Sequence, residues 1–289
     1  MTEASLHRID IARRVADAHA TLPGFAGAFV TGSSAEGIAD ECSDIDMSIF
    51  FYAFPGEEAL MQAKDTLDPN PPKWILGSFV EEEVCLSIQL EGIETQYGVG
   101  TVAQMDGYAR QILAGDLGTT PEIKIAIGTL FAIPFYGHDL IEGWKEQFRG
   151  YPETYRAATL EKYLIQRDFA ELYGKIANRN SEIWTRRELI ERVYDTFAAL
   201  GALNRIWFSE FQLKRSDAWC AKLEWAPPAL AERARAIAEE PLDRAIPIAI
   251  GLFQDTRTLI RRSEELANVC PCSHPGPQEW VWMCLQAKL

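Results

Sequence analysis

Two aspartates two positions apart, Asp44 and Asp46, stand among apolar residues in Ser43-Asp44-Ile45-Asp46-Met47-Ser48-Ile49. On an extended strand the side chains at i and i+2 share a face, so both carboxylates point one way while Ile45, Met47 and Ile49 pack the other way. Two carboxylates held side by side repel unless a cation lies between them, and Mg²⁺ takes oxygen ligands of this kind together with substrate phosphates. Glu94, in Ile93-Glu94-Thr95-Gln96-Tyr97, belongs by its pattern to a neighbouring strand and would complete a site for two ions, with Glu91 as its alternate.

Twelve positions ahead of Asp44 lies the small-residue turn Thr31-Gly32-Ser33-Ser34. Exposed backbone N–H groups in a tight Gly/Ser bend form a concavity for phosphate oxygens. Ser33 adds a hydroxyl, and Gly32 keeps the backbone free of a Cβ where phosphates must approach closely. Carboxylates for a cation and a turn for phosphate together suit phosphoryl or nucleotidyl transfer, in which positioning and charge neutralisation supply most of the catalysis.

These residues need a frame. Apolar spacing predicts an amphipathic helix over Ser5 to Leu22, a strand from Gly24 to Val30 and a second strand from Asp44 to Tyr52. A helix is expected over Glu57 to Lys64, followed by the breaker cluster Asp68 to Pro72. Val84–Leu90 and Ile93–Gly98, joined by Glu91-Gly92, read as a hairpin. A helix over Thr101 to Ala114 and a strand over Ala132 to Tyr136 follow. From Thr154 the period is helical over Thr154–Ala177, Arg186–Phe211, Leu230–Ala238 and Leu242–Ala267. The predicted fold class is therefore α+β: a mixed sheet flanked by helices in residues 1–151, then an all-α bundle in residues 152–289.

Gly32-Ser33, Gly37 and the run Ser43-Asp44-Ile45-Asp46-Met47-Ser48-Ile49 resemble the signature of the nucleotidyltransferase superfamily related to DNA polymerase beta. The helical second half is similar to bacterial antibiotic and small-molecule nucleotidyltransferases. The resemblance implies Asp44, Asp46 and Glu94 as catalytic residues and metal ligands for two Mg²⁺ ions, although family members often carry Asp at the third position. It implies Gly32, Ser33 and Ser43 at the nucleotide, with an NTP as co-substrate. The implied reaction transfers NMP to a hydroxyl of a small-molecule acceptor bound on the helical side and releases pyrophosphate. Transfer onto a protein partner, as in toxin–antitoxin systems, and non-catalytic nucleotide sensing are the rival readings.

In the helix from Thr154, Asp168, Glu171 and Lys175 share a face. Lys175 would grip the triphosphate, with Lys162 as its rival; a plain Glu171–Lys175 surface pair explains the same stripe. Cys270-Pro271-Cys272-Ser273-His274 has ligand types but poor spacing for structural zinc.

The chain has 42 acidic against 28 basic residues in 289, a net charge of −14. Phosphate contacts supply most nucleic-acid affinity, so this balance argues against a nucleic-acid polymer as partner. No apolar run approaches the roughly 18 residues of a membrane span. The scattered cysteines and the absence of a signal-like apolar core lead to the expectation of a cytoplasmic protein. Oligomeric state is not readable from the sequence.

Overall fold

The computed structural model describes residues 1–116, 120–164 and 181–262. The chain divides into two compact units: Met1–Gln111 with Lys124–Gly150, and Ile112–Ile123 with the chain from Tyr151 onward.

The first unit opens with α1 (Glu3–Ala20), capped by Thr2, whose hydroxyl accepts from the Ser5 amide. It buries Ile11, Ala12, Val15 and Ala16 against the sheet. Then come β1 (Phe25–Thr31), the four-residue helical turn α2 (Gly32–Ala35), β2 (Ile45–Phe51), α3 (Glu57–Leu67), β3 (Trp74–Ser78), β4 (Glu83–Leu90) and β5 (Ile93–Thr101). Helices α4 (Val102–Leu113) and α5 (Thr120–Leu130), whose residues from Ile112 to Ile123 group with the second unit, strand β6 (Ile133–Tyr136) and helix α6 (His138–Arg149) follow.

The six strands lie in the order β3-β4-β5-β2-β1-β6, with β2 and β5 parallel and the other neighbours antiparallel. The alternation in Ile45–Phe51 explains this placing. Ile45, Met47 and Ile49 enter the core with α1 and α3, while Asp46 and Ser48 look to the opposite face. That opposite face is covered at one end, where Phe50 meets Trp144 of α6 edge-on at 4.8 Å. Trp144 in turn donates to Asp106 of α4. The end carrying the aspartates stays accessible, with Asp46 22% exposed.

The structure differs from the sequence-based expectations at three places in this unit. Edge strand β3 and helices α5 and α6 form where no element is expected. In the second unit, the helix expected over Arg186–Phe211 ends at Leu203: α8 spans Glu182–Leu203, after α7 (Glu153–Leu164). Asn204 turns its amide back onto the Leu200 carbonyl, Arg205 takes a left-handed φ of 54°, and Ser209 and Gln212 form a capping box that starts a 3₁₀ turn at Glu210. Short α9 (Ser216–Cys220), then α10 (Leu230–Glu239) and α11 (Leu242–Arg262) follow. Their core includes Leu160, Phe197, Leu200, Trp219, Ile237 and Leu252. The architecture is thus α+β: a six-stranded mixed sheet with flanking helices, and a C-terminal helical region. No helix among the described residues is long and apolar enough to cross a membrane.

Candidate active site

Strand register builds the site as a row across the sheet. Thr31 of β1 pairs with Asp46 of β2, Asp46 with Gln96 of β5, Gln96 with Ser87 of β4, and Ser87 with Trp74 of β3. Asp44 precedes β2 and Glu94 lies two residues before Gln96, so the three acids share one sheet face. Gln96 links them: its Nε2 donates to Asp44 Oδ2 at 3.1 Å and to Glu94 Oε1 at 3.4 Å.

The Gly32 turn closes directly onto Asp46. Gly32 has φ of +64°, and a Cβ there would stand 2.7 Å from Asp46 Oδ2, closer than van der Waals contact permits. A side chain at Gly32 would strain the backbone at this φ and push the Asp46 carboxylate aside, so glycine lets turn and carboxylate lie together. Ser33 is half-buried on this turn, while the buried Ser34 hydroxyl has no hydrogen-bond partner among the described residues.

The loop into Asp44 is held by Arg8 of α1, a residue the sequence reading passed over. Its buried guanidinium donates from Nε to the Ser43 carbonyl at 2.8 Å and from a terminal nitrogen to the Glu41 carbonyl at 3.3 Å. The Thr2 hydroxyl donates to the Ala39 carbonyl, and the Ser5 hydroxyl accepts from the Ala39 amide. An arginine on an otherwise apolar helix face, Arg8 between Ser5 and Ile11–Ala12, was the available signal.

Ser43 and Glu94, both expected at the site, are each engaged by neighbours. The Ser43 hydroxyl donates to Asp40 Oδ1 and accepts from the Asp40 amide, closing the 40–43 turn. Glu94 shares the face, but its oxygens are occupied by Lys73 Nζ at 2.5 Å, Ser87 Oγ at 2.8 Å and Trp74 Nε1 at 3.1 Å. These donors, Lys73 first, hold its carboxyl near about 2, well below the usual carboxylate range. Among the described residues no three His, Cys, Asp or Glu side chains form a group able to hold a metal ion. Asp44 and Asp46 offer carboxylate oxygens of the kind a divalent cation takes, while the Glu94 carboxylate is engaged by Lys73, Ser87 and Trp74. Glu91, the alternate, pairs with Arg14 and His7.

A lysine of the first unit reaches the site. Lys124 of α5 pairs with Asp46 Oδ1 at 3.4 Å. Lys175 lies outside the described residues, as does the Cys270–His274 segment. Lys162, the rival, sits over the Tyr163 ring at 5.0 Å in the helical unit. In that unit Trp207 packs between Tyr151 and Tyr155, and Trp219 stacks on Phe197, so both are core residues. Burial pushes the Asp195 carboxyl there up to about 6, against the lowering effect of Arg192. Near Asp46, burial pushes the Cys85 thiol up to about 11, leaving it protonated and a poor nucleophile.

Neither a family model nor a curated protein sequence matches the chain. Among solved structures, a nucleotidyltransferase-like protein from Exiguobacterium sibiricum is similar at a TM-score of 0.44 and 11% identity, over 96% of this chain and 79% of that one. A likeness of that size transfers no residue roles.

Proposed function

We propose that the chain transfers a nucleoside monophosphate from a nucleoside triphosphate to a hydroxyl of a small acceptor, releasing pyrophosphate. One observation carries this reading: the Gly32 turn lies close against the Asp46 carboxylate, so a bend suited to phosphate would adjoin a carboxylate pair suited to a cation. Asp44 and Asp46 would hold Mg²⁺ with the nucleotide's phosphates. When bound, that ion supplies charge neutralisation on the phosphates and favours the acceptor's alkoxide.

The remaining chemistry belongs to the chain. The turn's amides orient the phosphates so that the acceptor oxygen meets the α-phosphorus in line with the departing bridge oxygen. The new P–O bond forms as the α–β bridge breaks, and the acceptor's proton passes to solvent. Glu94 is not the base, because a carboxylate held at about 2 by Lys73 and its other donors has little proton affinity.

The test is pyrophosphate release from a panel of NTPs with Mg²⁺ and hydroxylated small molecules. Asp46→Asn should lower turnover at least about a hundredfold with the fold intact, the scale of losing one key electrostatic group. Near wild-type turnover in that variant would refute the reading. The capture of Glu94 by Lys73, Trp74 and Ser87 favours one second reading, a nucleotide sensor, for which the panel would give binding without turnover.

A further inference from the structure

The charges on this sheet face come in pairs of unlike strength. Lys73 is fixed on Glu94 at 2.5 Å, and Glu94 is anchored further by Ser87 and Trp74. Lys124 meets Asp46 at 3.4 Å, with the lysine side chain 47% exposed. Both lysine side chains are 47% exposed, so the pairs differ in distance and in their neighbouring donors. The longer pair contributes little net stability and exchanges easily.

The place of Lys124 is nevertheless built by the fold. Thr31 is the register partner of Asp46. The Thr31 hydroxyl donates to the Gly128 carbonyl at 2.7 Å, and a Cβ on Gly128 would stand 2.9 Å from that hydroxyl, so α5 docks here through its glycine. Lys124 lies four residues before Gly128, one helical turn away on the same face, which brings its ammonium over Asp46.

Resting on the nucleotidyl-transfer reading of this site, we infer that Lys124 is an exchangeable counter-cation. It neutralises Asp46 in the free protein and turns to the nucleotide's phosphate oxygens once Asp46 serves as a metal ligand. Its four-carbon stem allows the swing, and its ammonium suits phosphate as a point charge. Lys124 and a divalent cation therefore compete for Asp46, whereas a divalent cation and a phosphate chain bind cooperatively, since the first frees the lysine for the second.

The variant Lys124→Met keeps the stem and removes the charge. Calorimetric titration of the full chain uses Mn²⁺ alone, then tripolyphosphate in the presence of Mn²⁺. Mn²⁺ alone should bind Lys124→Met about twofold to fivefold tighter than wild type, the scale of an exposed pair released. Tripolyphosphate should bind about tenfold weaker or worse, the scale of a lost charge-assisted hydrogen bond. Lys124→Arg should restore tripolyphosphate binding. In Asp46→Asn, adding Lys124→Met should raise Mn²⁺ affinity by less than it does in wild type, the signature of coupling between the two residues.

Unchanged or weaker Mn²⁺ binding in Lys124→Met, or unchanged tripolyphosphate binding, overturns the exchange. The expected shifts in a protein that transfers no nucleotide would refute nucleotidyl transfer and leave the exchange standing. Transfer by wild type without those shifts would do the reverse. A wild-type chain that binds neither probe removes both.

Discussion

Glu94 and Asp46 look alike in sequence, each an acid on an alternating strand, yet their surroundings separate their roles. Glu94 accepts from three strong donors and is held ionised by them; Asp46 carries one long lysine contact beside a bare glycine. The pH dependence of stability follows from Glu94. Its carboxyl is lowered from 4.5 to about 2, chiefly by Lys73, so between those values the unfolded chain binds more protons than the folded one. The stabilisation is full above the unfolded value and is lost as pH falls through the folded one. Glu94→Gln should therefore cost about 1 kcal/mol at neutral pH, the upper range for a partly exposed pair. That difference should shrink as pH drops from 4.5 toward about 2 and is read from urea midpoints at a series of pH values. A difference that grows on acidification would contradict the network.

The helix α1 and the loop it fastens explain why Asp44 is where it is. Arg8 spends its guanidinium on the Ser43, Glu41 and Ala4 carbonyls. Arg8→Met should destabilise the chain by about 2–3 kcal/mol, because partly buried hydrogen bonds from a charged donor are lost. It should also weaken Mn²⁺ binding at Asp44, by titration under conditions where the variant stays folded. Wild-type Mn²⁺ affinity in a folded Arg8→Met would contradict the role given to Arg8. This coupling across 35 residues has no periodicity and could not be read from the chain, whereas β1 announced itself as a short apolar run and β2 by its alternation. Helix α5 carried a readable start in Thr120-Pro121-Glu122, and α6 an apolar stripe at Ile141, Trp144 and Phe148. Edge strand β3 had weaker signals, being five residues long with a glycine at φ +84° inside it.

Over the whole molecule, apolar spacing shifts from alternation to helical period near Tyr151, and each unit closes its own core, Ile112–Ile123 grouping with the second unit. That Asp46 comes up against the Gly32 turn was legible in the strand alternation and the glycine. The fate of Glu94 was not, since it depends on Lys73 and Trp74 arriving from a strand twenty residues away. The net charge of −14 gives the lysine at Asp46 added weight. An acidic chain that takes up a polyphosphate must supply its cations locally. The most direct measurement is a crystal structure of the full chain with Mn²⁺ and a non-hydrolysable nucleoside triphosphate analogue, with the metal located by its anomalous scattering. The expected result is a metal peak between Asp44 and Asp46 with the phosphate tail against the Gly32 turn. A metal peak away from that pair, or a nucleotide bound elsewhere on the chain, would contradict it.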